Sequence, residues 1–262
     1  MTDDSPVLLD RGPGPVVTLT LDRPARLNAL GPETVAALDA ALDDLGDARV
    51  LVLTGRGRAF SAGGDLEAVA AMARERGLDD GAGTAAFHAA ISALLRRLEL
   101  LPIPVVAAVN GIAVAGGLEL ACACDVVLAT ASAVFGDGHA NYGLLPAGGG
   151  SVRLPRRVGA SRAKYLMFTG ETVPAATMRD WGLVAEVVPD DELPAAAERL
   201  AARLASRSAD GLRRMKELVD RGLETGVDEA LAHEQAVAAE HVGAPDYREG
   251  LAAFREKRAP RF

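Results

Sequence analysis

A chain of 262 residues can bury about three-quarters of its extended surface, so one large domain is predicted rather than several. A formal charge of −8 excludes general nucleic-acid binding, and no apolar run reaches the roughly 18–20 residues needed to span a membrane. The acidic start, MTDDSPVLLD, lacks the basic stretch and apolar core of an export signal, and a cytoplasmic protein is expected.

In chain order, VVTLTL at 16–21 reads as a strand rich in β-branched residues. PETVAALDAALDDL at 32–45 has helical spacing, with Pro32 at a first-turn position. RVLVLT at 49–54 is nearly all apolar, the mark of a strand buried on both faces. The Ala-, Gly- and Asp-rich stretch 68–84 is expected to be mobile, and a helix over 84–100 ends at Pro102 and Pro104. Buried strands follow at 104–110 and 125–130, with a short helix between them from the Gly116–Gly117 pair. Beyond 190 the strand signals cease and amphipathic runs occupy 192–206, 209–222, 228–241 and 246–257. This divides the chain into a core over 1–190 and a helical region over 191–262. Cys122 and Cys124 are the only cysteines, on an apolar helix face without a nearby histidine, which fits packing better than a metal or disulfide role.

Two glycine-rich reversals carry the chemistry: AFSAGGDL at 59–66 and VNGIAVAGGLELACACD at 109–125. Each follows an apolar run, and such turns leave backbone N–H groups free. Two donors facing one point form an oxyanion hole, which stabilises charge growing on a thioester or related acyl carbonyl. Glu119 stands in the first turn of the second motif's helix, on the side of that site; it serves either proton transfer or the helix's own free N–H groups. PAGGGSVRLP at 146–155 lacks the ending of a phosphate-binding P-loop and reads as a tight turn closing an acyl pocket.

RPARLNAL at 23–30, GRAFSAGGDL at 57–66, AAVNGIAVAGGLELACACD at 107–125, FGDGHANYGLLPAGGGSVRLPRRVG at 135–159 and FREKRAPRF at 254–262 together resemble the crotonase superfamily, the enoyl-CoA hydratases and isomerases, over essentially the whole chain. The resemblance implies an α/β fold, a spiral of repeated ββα units of the ClpP/crotonase type with a C-terminal helical region. The same resemblance implies that this region joins subunits into a homotrimer or a dimer of trimers. The resemblance also implies hydration of a trans-2-enoyl-CoA, with the backbone amides of Ala62 and Gly116 as the oxyanion hole and Glu119 as one acid/base group. His139 stands where hydratases of the family carry a second glutamate. Relatives that cleave a C–C bond carry a histidine in this loop and support it with an aspartate, at the place of Gly148 here. Isomerisation, decarboxylation and C–C hydrolysis therefore stay open, as does an acyl-CoA-binding protein without catalysis. No tightly bound cofactor or metal is implied; coenzyme A arrives as part of the substrate. Its contacts are expected at Arg23, Ala25, Arg26, Leu27, Ala62, Asp65, Leu66, Phe254 and Lys257, with Asp65 also tying down its loop.

Overall fold

The computed structural model describes residues 5–12 and 14–262, so residues 1–4 of the acidic start lie outside it. Two sheets organise the chain. The first has six strands in the order β1 (Val7–Asp10), β2 (Val16–Leu21), β3 (Val50–Gly55), β5 (Val105–Val109), β7 (Val126–Thr130) and β10 (Glu186–Val188). The second joins β4 (Ala59–Ser61), β6 (Ile112–Val114), β8 (Val134–Gly136) and β9 (Thr172–Pro174). Each turn of the spiral delivers one strand to each sheet: β3 then β4, β5 then β6, β7 then β8. Pairing is parallel along β2-β3-β5-β7-β10 and along β4-β6-β8. The expected ββα spiral is thus the observed architecture.

Both faces of the large sheet are covered, which is why its strands are continuous apolar runs. Leu51, Leu53, Val105, Ala107, Val109, Val127 and Ala129 face the main core, packed with Leu95 and Leu98 of α3 (Asp80–Glu99) and Leu118 of α4 (Gly116–Cys122). The alternate residues Val50, Val52, Val106, Ala108 and Leu128 pack on Leu193, Ala196, Ala197, Ala201 and Ala205 of α8 (Leu193–Ala205). The 190/191 division therefore does not separate core from appendage, since α8 completes the core. Past it, α9 (Ala209–Gly222) leaves Met215 and Val219 exposed, and Leu223 follows them on the same stripe. α10 (Val227–His241) and α11 (Pro245–Glu256) end the helical region.

The stretch 68–84 is mostly helical, two helices joined by a turn at 76–79. α2 (Leu66–Glu75) starts at Asp65, whose side chain accepts from the Ala68 N–H at 3.2 Å. α3 starts at Asp79, which accepts from the Ala82 N–H at 2.7 Å. Polar residues that suggested flexibility are N-caps satisfying free helix amides. α5 (Gly150–Val158) and α6 (Ala160–Thr169) lie between β8 and β9 along the chain, and α7 (Ala175–Trp181) follows β9. Among the described residues no helix is long and apolar enough to cross a membrane. Cys122 and Cys124 are free and buried, and burial pushes the Cys122 thiol up to about 12, so both are inert packing groups.

Candidate active site

Three parallel strands of the second sheet end at one place. β4 runs into Ala62–Asp65, β6 into Ala115 and α4, and β8 into Asp137–His139. Groups just past the carboxyl ends of parallel strands are where α/β sheets gather ligands.

The two glycine turns touch. A Cβ built on Gly63, whose φ is +93°, would lie 2.8 Å from Ala115 Cβ and 3.1 Å from the Gly116 nitrogen. One built on Gly116 would lie 3.5 Å from Gly63 Cα and 3.7 Å from its carbonyl carbon. Ala115 itself takes φ 49°, ψ −120° to turn β6 into α4, a strained conformation for a residue with a Cβ. Which amides point free differs from expectation. The Ala62 N–H donates to the Leu27 carbonyl at 3.0 Å and is consumed. The Gly63 N–H donates to Ser61 Oγ at 3.2 Å. Gly64, one residue on, has no acceptor for its N–H among the described residues, and neither has Gly116. The free pair in the two touching turns is therefore Gly64 with Gly116, not Ala62 with Gly116.

Glu119 is buried, 3% exposed, and its carboxylate fills a cradle of absent side chains. Oε1 accepts the Gly150 N–H at 2.8 Å, and a Cβ on Gly148 would fall 2.6 Å from Oε2. Gly150 begins α5, so the carboxylate also meets the positive end of that helix. Burial raises the pKa of Glu119 above the usual carboxylate range, against the pull of the Gly150 amide and of nearby His139.

His139 directly follows a left-handed turn at Gly138, and its Nδ1 lies 3.0 Å from Asp137 Oδ1. Asp137 is 2% exposed and also accepts the His139 N–H, at 3.3 Å. Burial disfavours the imidazolium, yet the hydrogen bond and charge of Asp137, with Glu119 beyond, outweigh it and raise the histidine. Asp137 was missed in the sequence. The supporting aspartate was sought at Gly148, whereas Asp-Gly-His is itself an Asx-type turn that returns a carboxylate onto the residue two ahead.

The proposed cofactor contacts are placed unevenly. Leu27 and Asn28 both have positive φ, closing a turn over Pro24–Arg26 that carries Ala25. Buried Asn28 staples this turn to β4, donating to Ala59 O at 2.7 Å while accepting the Arg23 N–H at 2.9 Å. Arg23 and Arg26 are ion-paired with buried Asp65 at 3.1 and 3.4 Å, and Arg26 with Glu67 at 2.6 Å, so they fasten the loop rather than stand as free cations. Leu66 is 55% exposed beside them. Phe254 and Lys257 are not brought to this turn by their own subunit's described contacts. Their segment ends at Phe262, whose carbonyl accepts from Arg49 at the amino end of β3, the far end of the strand from the site.

The enoyl-CoA hydratase/isomerase family model matches residues 11–262. The chain is 38% identical over 247 residues, 93% of each chain, to the probable enoyl-CoA hydratase echA8 of Mycobacterium tuberculosis. It is 37% identical over 250 residues, 94% of each, to the 1,2-epoxyphenylacetyl-CoA isomerase of Escherichia coli. The crystal structure of an enoyl-CoA hydratase from Bacillus anthracis superposes with a TM-score of 0.91 at 34% identity, covering 98% of both chains. The chain belongs to the enoyl-CoA hydratase/isomerase family and has the crotonase fold.

Proposed function

We propose that the protein hydrates a trans-2-enoyl-CoA to the 3-hydroxyacyl-CoA, with Glu119 and His139 as the acid/base pair. The observation that carries this is a buried carboxylate and a half-buried histidine held by a buried aspartate, close enough to affect each other's ionisation, beside two free amides. The thioester oxygen accepts from the Gly64 and Gly116 N–H groups, which stabilise the enolate formed as water adds; one such donor is worth about 3–4 kcal/mol of barrier. Glu119 takes a proton from water as its oxygen bonds the β-carbon. His139, protonated and held through Nδ1 by Asp137, delivers a proton from Nε2 to the α-carbon. Solvent then moves one proton from Glu119 back to the histidine, so the net change is addition of one water.

Coenzyme A lies over the Arg23–Leu27 turn, with backbone contacts at Ala25 and Leu27, and enters beside Leu66; no other cofactor takes part. The enzyme is cytoplasmic and assembles as a trimer or a pair of trimers, which covers the exposed Met215, Val219, Leu223 and Phe254. In that assembly Phe254 and Lys257 approach the nucleotide of a neighbouring subunit. A second reading, C–C hydrolysis of a 1,3-dicarbonyl substrate, is favoured by one observation, the support that Asp137 gives His139.

The test is loss of enoyl absorbance with crotonyl-CoA. Wild type should turn over, Glu119→Gln should lose at least about a hundredfold in kcat while still binding the thioester, and His139→Ala should fall likewise. Absence of wild-type hydration, with hydration gained in His139→Glu, would overturn the hydratase reading in favour of the second.

A further inference from the structure

We infer that Arg153 and Glu99 form a clamp that positions the Glu119 carboxylate through the Gly148–Gly150 turn and so governs turnover rather than substrate binding. The inference deepens the hydratase reading and rests on it for its kinetic arm.

Arg153, on α5, is 13% exposed and reaches back across the turn that precedes its own helix. Its Nη1 donates to the Gly148 carbonyl at 2.7 Å. Its Nε and Nη2 donate to the two carboxylate oxygens of Glu99 at 3.2 and 3.0 Å. A bidentate pair of this kind fixes a plane as well as a distance. The guanidinium lies so close over Gly149 that a Cβ there would sit 2.1 Å from Nη1, and Gly149 has φ +93° besides. Glu99 is the last residue of α3 and is held in turn by Arg96 at 2.8 Å.

The opposite edge of the same turn is the cradle of Glu119, through the Gly150 N–H and the space at Gly148. One three-glycine segment thus has a guanidinium on one side and the acid/base carboxylate on the other. Three successive glycines have the most backbone freedom of any tripeptide. Without a fixed anchor, the turn would not keep the Gly150 N–H on Glu119. The charged groups facing Glu119 are His139 and Asp137 from the β8 loop, with the neutral thiol of Cys122 on its own helix; Arg153 lies across the turn, paired with Glu99 and the Gly148 carbonyl. Substitution of Arg153 leaves the first two in place.

An ion pair that merely fastened α3 to α5 would affect stability and leave the ionisation of Glu119 alone. The variants are Arg153→Met, Arg153→Lys and Glu99→Gln, each tested by kinetics across pH and by titration of the Gly150 amide in protein labelled with 15N-glycine. In Arg153→Met, kcat should fall about 10–100-fold with KM within about threefold. The acid limb of kcat/KM and the Gly150 amide titration should both move to higher pH, because Glu119 loses a donor to its charged form. Arg153→Lys should recover part of each change, and Glu99→Gln should move them less, in the same direction. A folded Arg153→Met protein whose kcat and amide titration match wild type would overturn the clamp. A wild type with no enoyl-CoA turnover would sink the hydratase reading instead, and the amide titration alone would then decide the clamp.

Discussion

Replacing Gly117 with alanine should part the two oxyanion donors without touching either. A Cβ at position 117 would lie 2.2 Å from the Ser61 carbonyl oxygen, 2.9 Å from its carbon and 3.0 Å from its Cβ. Real Cβ atoms do not approach closer than 3.0 Å, so α4 and β4 must separate by about 0.8 Å. Ser61 ends the strand that leads to Gly64, and Gly117 adjoins Gly116, so the displacement falls on the spacing of the free amides. A misplacement near 1 Å costs about a hundredfold in rate, and complete loss of one donor costs about 3–4 kcal/mol. The expected fall in kcat is therefore about 30–300-fold, equivalent to about 2–3.5 kcal/mol, with KM changed less than about threefold. Overpacking should also lower stability by about 1–3 kcal/mol, which thermal unfolding at fixed protein concentration measures separately. The assay is hydration of crotonyl-CoA at saturating substrate. Gly226, beside which nothing lies within 4 Å, provides the alanine control. A folded Gly117→Ala protein with kcat within about threefold of wild type would refute the assignment of these turns as the oxyanion hole.

Asp137→Asn removes the charge that sustains the His139 imidazolium, so the alkaline limb of kcat/KM should move to lower pH and kcat should drop about 10–100-fold. The same pair contributes to folding, since its histidine is raised in the folded state. That stabilisation is complete below about pH 6.5, the unfolded value, and fades as pH rises through the folded one. Asp65→Ala removes the α2 cap and the partner of Arg23 and Arg26 together and should cost about 2–4 kcal/mol in urea unfolding. Burial works against the Asp65 charge, but the Ala68 amide and the two arginines outweigh it and hold the carboxyl below its usual range. Its contribution is therefore present above about pH 4 and is lost as pH falls through the folded value; Asp65→Ala should flatten that acid-side decline.

The large sheet was legible because β3, β5 and β7 are covered on both faces and so are unbroken apolar runs. β4, β6 and β8 were not, since three residues cannot display a period of two. These are the strands that bring the site together, so the sequence showed the motifs without the sheet that gathers them. Glu119 could be read from its place in the first turn after Gly116. Gly64 could not, because which amide of AFSAGGDL stays free depends on the Leu27 carbonyl, far away in sequence. Asp79 shows the converse error: within an Ala-, Gly- and Asp-rich stretch it signalled mobility, and only the helix it caps explains it.

The group that polarises the substrate and the groups that move protons are encoded in different ways. Gly64 and Gly116 would act through the main chain, so no single codon change deletes their N–H short of proline; only crowding, as at Gly117, displaces them. Glu119, Asp137 and His139 would act through side chains and can be exchanged one at a time. A lineage built on this scaffold can therefore lose or replace a proton donor while still activating the same thioester, and so pass between reactions without passing through an inert protein. A histidine in the β8 loop is the kind of exchange such an arrangement tolerates.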